Sequence, residues 1–370
     1  MHKVVFWQGI ASPHMANLAN ELGADNNEVN YVAAEEMSSL RKRQGWIKPD
    51  MRNLQFHLIN GPSEALSLLN GFPNDAIHLT QGVRGNGYIS AVIRTLRQRH
   101  ARWGAIMETI DERFGLGPLK RLVYAWHLGR AATRPDFVLA IGKKTKPWLT
   151  VCDYPAERVF EFTYFLPQAS VILNDVQSGN VFRVGFVGQL IQRKRVDILI
   201  DALACLLEFP FELLMIGTGP LEGQLHRWSI AKLGLERFRM MGQLSMAEAR
   251  ICMQNLDCLV LPSVHDGWGA VVSEALMVGV PVICSDACGA ATAVQASRVG
   301  GVFPKGDVAA LRGQLRQLFV QQPLELEKRR ALAAWAHCLS SVAGADYLIS
   351  ILDSIYHGAE RPLPPWEARA

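Results

Sequence analysis

Asp266 and Glu274 stand with seven residues between them, in the run Pro262-Ser-Val-His-Asp266-Gly-Trp-Gly-Ala-Val-Val-Ser-Glu274-Ala-Leu-Met. The apolar residues Leu259–Pro262 read as a strand, and the spacing after Gly269 predicts a helix that starts near Ala270 and carries Glu274 one turn in. Glycines at a strand-to-helix turn let backbone N–H groups approach an anion, and a helix N-terminus favours negative charge there. A carboxylate at Glu274 can accept from two vicinal hydroxyls, each charge-assisted hydrogen bond adding about 1.5–3 kcal/mol. The same carboxylates would equally serve to cap and solubilise one helix start, and residue chemistry alone leaves the two readings level.

A second segment, Val184-Gly-Phe-Val-Gly188-Gln189-Leu-Ile-Gln-Arg193-Lys194-Arg195, ends a strand in glycine and delivers a lysine to a helix start. A lysine point charge beside free N–H groups suits a diphosphate, and a basic helix cap is the plain alternative. Two weaker segments follow. Leu214-Met-Ile-Gly217-Thr-Gly219-Pro-Leu221 is a strand and glycine turn whose spacing, with Pro220 inside it, is not a dinucleotide fingerprint. Met240-Met241-Gly242 reads as a short strand. In the first half, Gly9 and His14 follow the first apolar run, and His78 lies in another.

These residues need elements to hold them. Short apolar runs at Val4–Trp7, Val29–Ala33, Leu54–Ile59, Ala76–Leu79, Ala105–Met107, Phe137–Ile141 and Val159–Phe165 read as strands. Met15–Leu22, Ser63–Leu69 and Ile89–Arg102 carry helical spacing between them. Leu166 to Asn180 has linker chemistry, and strand-helix alternation restarts after it. Alternation of this kind predicts α/β architecture, with parallel sheets covered by helices on both faces. The expected domains are 1–168, 169–345, and a terminal helix and tail over 346–370 packing back on the first. Leu324–Tyr356 reads as one long helical stretch. Ligands of open parallel sheets bind beyond the carboxyl ends of the strands, where the Asp266, Lys194 and Gly9 segments fall.

The Asp266-x7-Glu274 arrangement, with proline-serine ahead and Glu-Ala-Leu and a Gly279-Val-Pro281-Val-Ile strand behind, resembles the E-x7-E signature of the family 4 retaining glycosyltransferases (glycosyl transferases group 1). Lys194 fills the lysine of that family's G-R-L-x3-K pattern, and Gln189 replaces its arginine. The resemblance runs in order from about Val184 to Asp286 and implies a GT-B fold: two facing Rossmann-like domains with a cleft between them. It implies catalytic roles for Lys194, Asp266 and Glu274. Donor-binding positions would be Gly9, Gly188, Gln189, Arg193, Gly219, Leu221, Met241, Gly267, Trp268, Gly269, Ala270 and Val271. His14, His78 and Arg84 would lie on the acceptor side. The implied reaction moves a sugar from a nucleotide diphosphate sugar, UDP or GDP, to a glycan or lipid-linked acceptor in cell-surface polysaccharide or lipopolysaccharide synthesis. No metal and no cofactor are expected. A sugar-nucleotide epimerase or hydrolase of the same fold, and a non-catalytic binding module, are the alternatives.

The chain has 370 residues, 49% of them hydrophobic, with a net charge of +4, too weak to imply nucleic acid. Residues 1–170 carry 20 Lys and Arg against 15 Asp and Glu, and the remainder 18 against 19, so the positive excess lies wholly in the first half. That suits an anionic acceptor or membrane surface. On Ile89–Arg102, Ile89, Val92, Ile93 and Leu96 share one face, with arginines around the rest. That pattern suits docking on anionic lipid, and the plainer reading, which we favour, is an amphipathic helix packed on the sheet. The seven scattered cysteines form no Cys-x-x-Cys and read as small buried hydrophobes in a reducing compartment. Short apolar runs argue against a leader or a membrane span, which points to a cytoplasmic protein, at most peripheral to the membrane. Asp-x-Asp, G-x4-G-K-[ST] and G-x-S-x-G motifs are absent.

Overall fold

The structure, a computed structural model, describes residues 1–37, 48–110, 117–129, 134–168 and 181–368. Most of the expected linker, 169–180, lies outside the described residues. The described chain divides into two compact units. The first joins Met1–Gln168 to Ser340–Ala368, and the second comprises the residues between them, up to Leu339.

In the first unit, β1 (Lys3–Ile10), β2 (Glu28–Glu35), β3 (Gln55–Leu58), β4 (Ile77–Gln81), β5 (Trp103–Glu108), β6 (Phe137–Ile141) and β7 (Val159–Phe162) form one sheet in the order β3-β2-β1-β4-β5-β6-β7. Every pairing is parallel. The central strand β1 is an unbroken apolar run because Val4, Val5, Phe6 and Trp7 are all at most 1% exposed, as a strand covered on both faces requires. Strand order reverses between β1 and β4, which makes their carboxyl ends this unit's switch point.

Helix Tyr88–Arg99 decides between the two readings of its apolar face. Ile89, Val92, Ile93 and Leu96, the face that suited lipid, are buried in the unit's core with Trp7 and Trp103. The packing alternative is the one realised. The long stretch Leu324–Tyr356 is also not one helix: it breaks into Leu326–Trp335, a 3-10 turn Ala336–Leu339 and Ser341–Tyr356. Ser340 starts the last of these by accepting at Oγ from the Ala343 N–H at 3.3 Å, an N-cap that ends the preceding turn. This helix closes the core of the first unit. Tyr347 stacks on Phe162, Tyr356 meets Phe137 edge to face, and Gly344 lies against Phe165, where a Cβ would come within 2.4 Å of the ring.

The second unit has β8 (Phe182–Val187), β9 (Phe211–Ile216), β10 (Phe238–Gly242), β11 (Cys258–Leu261), β12 (Val282–Ser285) and β13 (Gly300–Phe303), again all parallel. Their order is β10-β9-β8-β11-β12-β13, so the switch point falls between β8 and β11. Five of the cysteines are buried, as expected of small hydrophobes, while Cys205 is exposed and Cys252 half-buried. Among the described residues no helix is long and apolar enough to cross a membrane.

Candidate functional site

β8 and β11 are neighbours, so the loops leaving their carboxyl ends must meet. Their meeting point holds the strongest residues of the sequence reading. Lys194, at the end of the 3-10 turn Gln192–Lys194, donates from Nζ to Asp266 Oδ2 at 2.6 Å. Both side chains are nearly buried, at 11% and 12% exposure. Arg193 Nη1 lies 3.4 Å from the other carboxylate oxygen and donates to the His265 carbonyl at 2.6 Å. Ser263, fully buried, donates from Oγ to Asp266 Oδ2 at 2.9 Å. Burial alone would raise the Asp266 carboxyl. The Lys194 charge and hydrogen bond, then Arg193 and Ser263, overcome it and hold the group below its ordinary value. Asp266 is therefore a fixed carboxylate, and it takes one of the three donors of the Lys194 ammonium.

The backbone around this pair is stitched tightly. The Val264 N–H donates to the Arg193 carbonyl at 2.9 Å, the Asp266 N–H to Ala287 at 3.2 Å, and the Gly289 N–H back to Asp266 at 3.0 Å. The loop after β12 thus clasps the acidic turn. Ser285 Oγ donates to the Ser263 carbonyl, and Cys288 Sγ to the Trp268 carbonyl at 2.9 Å. Ser263, Ser285 and Cys288 escaped sequence reasoning, although Ser263 and Cys288 sit within or just beyond the motif.

Helix Ala270–Met277 starts from Gly269, whose φ of 91° is left-handed, and where a Cβ would meet Leu261 at 2.8 Å and Cys288 Sγ at 2.9 Å. Only glycine fits there. No side chain caps this helix start; the Val272 N–H turns back to the Gly269 carbonyl at 2.8 Å, which leaves the N–H groups of Ala270 and Val271 for water or an anion. Glu274 is partly buried one turn in, and burial pushes its carboxyl up, opposed by the charge of Arg250. Gly267, Ala270 and Val271, just ahead of it in the chain, are half-buried. The Trp268 indole is 1% exposed and donates to Ser273 Oγ at 2.9 Å, so the side chain is core and only its backbone can face a donor.

The loops after β8 and β9 touch backbone to backbone. A Cβ on Gly217 would sit 2.0 Å from the Gly188 carbonyl oxygen, and one on Gly219 would sit 2.4 Å from that of Leu190. The Leu221 N–H donates to the Leu190 carbonyl at 3.1 Å. Gln189 is exposed beside Gly188, and Met241 is exposed on the edge strand β10. A cavity elsewhere in this unit, at the amino ends of β12 and β13 and lined by Arg298, Gln314 and Lys328, includes none of these residues.

In the first unit, the Gly9 N–H at the end of β1 donates to Gln81 Oε1 at the end of β4, at 2.9 Å, so Gly9 does lie at that switch point. Arg84 is exposed just beyond, with its guanidinium 5.6 Å from the Tyr124 ring centre. His14, on helix Pro13–Ala24, packs its ring 5.2 Å from that of Tyr164. His78 does not join them. It lies in the amino half of β4, 4% exposed, and accepts at Nδ1 from the Trp7 indole at 3.1 Å. Burial depresses its imidazole pKa to about 4, with Arg99 adding to the effect. It is a neutral core histidine, and it leaves the acceptor-side set.

With this geometry in place, residues 176–336 match the family model described as glycosyl transferases group 1. Over 150 residues the chain is 32% identical to the phosphatidyl-myo-inositol mannosyltransferase of Mycobacterium leprae, covering 40% of this chain and 38% of that one. The match therefore spans well under half the length of that curated relative. Solved structures extend the likeness to the fold of nearly the whole chain. The lipopolysaccharide outer core galactosyltransferase WaaB superposes with a TM-score of 0.69 at 16% identity, covering 95% of this chain and 99% of that one. Anabaena Alr3699/HepE in complex with UDP superposes with a TM-score of 0.70 at 18% identity, covering 95% and 100%. The architecture is the two-domain α/β GT-B fold, as the sequence led us to expect.

Proposed function

We propose that the chain is a retaining glycosyltransferase of the family 4 type that takes its sugar from a nucleotide diphosphate sugar. The observation that carries this reading is the buried Lys194–Asp266 pair at the β8/β11 switch point, beside an uncapped helix start that bears Glu274. Lys194 has donors left for a diphosphate, and the N–H groups of Gly267–Ala270 would share the charge that builds on it as it leaves. Glu274 would accept from the ribose hydroxyls, and Asp266 would contact the transferred sugar. The bond from the anomeric carbon to the phosphate oxygen breaks, a bond to the acceptor oxygen forms on the same face, and the acceptor proton passes to the leaving phosphate. No side chain serves as nucleophile, and no metal takes part.

UDP is the favoured base, in keeping with the UDP carried by Alr3699/HepE, and GDP is the alternative. A glycan or lipid-linked acceptor in cell-surface polysaccharide or lipopolysaccharide synthesis fits the basic first half of the chain. The protein would work in the cytoplasm, on the inner face of the membrane, and the structure offers a surface for that contact. On helix Gly117–Leu128, Gly117 and Leu128 are buried and Tyr124 packs on Trp148. At about 100° per residue, Leu119, Leu122 and Trp126 fall on the opposite side, at 59%, 69% and 60% exposure. An exposed Leu-Leu-Trp stripe matches a lipid interface better than the buried face of Tyr88–Arg99.

The test is a thermal-shift panel of UDP, GDP, ADP, CMP and dTDP sugars on the native chain and on Glu274→Ala, followed by donor turnover with and without acceptor. A shift of several degrees from one nucleotide, lost in the variant, supports the donor site. Turnover that needs no acceptor would favour the epimerase or hydrolase reading, and no response to any nucleotide would overturn the transferase.

A further inference from the structure

Three groups suited to a metal ion converge in the first unit, and the transfer reaction uses none of them. His2 Nε2 lies 3.0 Å from Asp353 Oδ1, and His357 Nδ1 lies 2.9 Å from the same oxygen. The potential ligand atoms all fall within 4.8 Å of one another. The two imidazoles stack, with ring centres 5.4 Å apart and planes at 21°. They come from distant points of the chain: His2 just ahead of β1, Asp353 in the last turn of helix Ser341–Tyr356, and His357 at its C-cap.

The backbone holds all three in place. The His2 N–H donates to Asn27 Oδ1 at 2.8 Å, and the His357 N–H and Ala359 N–H both donate to the Asp353 carbonyl, at 2.9 and 3.2 Å. Exposure is graded outward: His2 is 7% exposed, Asp353 39% and His357 57%. An ion here would therefore be rooted on a buried imidazole and open to water on its outer side.

We propose that His2, Asp353 and His357 form a binding site for a first-row divalent cation of the zinc type, which ties the start of β1 to the end of the C-terminal helix. Two neutral imidazoles and one carboxylate suit Zn²⁺ and Co²⁺, and disfavour the all-oxygen shells of Mg²⁺ and Ca²⁺. Each imidazole nitrogen needs to draw only slightly away from the Asp353 oxygen, because tetrahedral ligands at about 2.0–2.2 Å from a zinc ion lie further apart than the 2.9–3.0 Å seen in these two contacts. The three protein ligands leave a fourth position for water. Without an ion the same cluster is a hydrogen-bonded clasp, with Asp353 accepting from both rings.

The experiment uses the full chain, free of any polyhistidine tag, titrated with Zn²⁺ by calorimetry and with Co²⁺ by visible absorption. His357→Ala and Asp353→Asn are the test variants, because both positions are exposed enough to change without unfolding the chain. We expect one equivalent bound, d–d bands of a four-coordinate Co²⁺ site, and a Tm rise of roughly 5–10 °C at Zn²⁺ near 100 times Kd. Each variant should weaken binding at least about 100-fold. Zn²⁺ affinity equal in the native chain and His357→Ala, or a Co²⁺ spectrum of the aqueous ion, would overturn the site and leave only the clasp. Donor binding in the second unit does not enter these readouts, so failure here is distinguishable from failure of the transferase reading.

Discussion

Lys194 and Asp266 should behave as one coupled unit, and a double-mutant cycle of Lys194→Met and Asp266→Asn measures that. Removing one partner of a buried pair typically costs about 3–5 kcal/mol, because the other charge stays desolvated. Loss of Lys194 leaves Asp266 with Arg193 at 3.4 Å and the Ser263 hydroxyl at 2.9 Å, so its cost falls lower, at about 2–3 kcal/mol. Loss of the Asp266 charge leaves a nearly buried ammonium beside an arginine and takes the full range. The double variant removes both charges and should cost less than the sum, with a coupling energy of about 2–3 kcal/mol. At about 2–4 °C per kcal/mol, loss of Lys194 should lower Tm by roughly 4–12 °C and loss of the Asp266 charge by roughly 6–20 °C, readable by calorimetry. The pH dependence carries the same sign. The Asp266 pKa is depressed in the fold, so its contribution is complete above the ordinary value near 3.9 and is lost as pH falls through the folded value. Asp266→Asn should lack that acid limb. A coupling energy under about 0.5 kcal/mol, or an unchanged acid limb, would refute the argument that this pair shapes the site.

Glu274→Gln should abolish the response to nucleotide sugars while holding or raising Tm, because it removes a carboxylate that burial disfavours. Donor affinity of the native chain should fall with acid while pH is still above the ordinary carboxylate range, and the Gln variant should show no such dependence. Gly217→Ala should destabilise the second unit by about 2–4 kcal/mol in a denaturant titration, since its Cβ would strike the Gly188 carbonyl at 2.0 Å. His78→Ala should keep donor binding within a few-fold yet lower Tm, having left the Trp7 indole without its acceptor. His78 also gives the native chain a loss of stability as pH falls from about 6.5 to about 4, on the order of 3 kcal/mol in full, because only the unfolded form takes up the proton. Leu122→Glu with Trp126→Glu should cut cosedimentation with anionic vesicles at least about 10-fold without moving Tm, and unchanged binding would rule out that helix as the contact.

Most of the second unit could be read from sequence, because its chemistry is local. Every strand but β12 ends at or just before a glycine or proline, the loop follows at once, and the helix start is marked by Gly269, so the seven-residue spacing between Asp266 and Glu274 translates directly into geometry. The Lys194–Asp266 contact spans 72 residues, yet switch-point topology already forces those two loops together. Readings failed where a residue's surroundings come from elsewhere in the fold. An amphipathic face looks the same whether it meets lipid or a sheet, so the spacing alone did not decide for Ile89 and Leu96, and it gave no signal that Leu119, Leu122 and Trp126 are exposed. The indole of Trp268 is claimed by Ser273, and the imidazole of His78 by Trp7 from a neighbouring strand. No spacing rule joins His2 to Asp353 across 351 residues.

The first unit is discontinuous in sequence: Met1–Gln168 needs Ser340–Ala368 to close over Phe162, Phe165 and Phe137. On a ribosome adding roughly 5–20 residues per second, the whole second unit must emerge before that closing helix is even made. The half of the chain that is translated first is then the half that finishes folding last. Its aromatic face waits uncovered for several seconds or more, exposed to chaperones and to misassociation, while the contiguous second unit can already close.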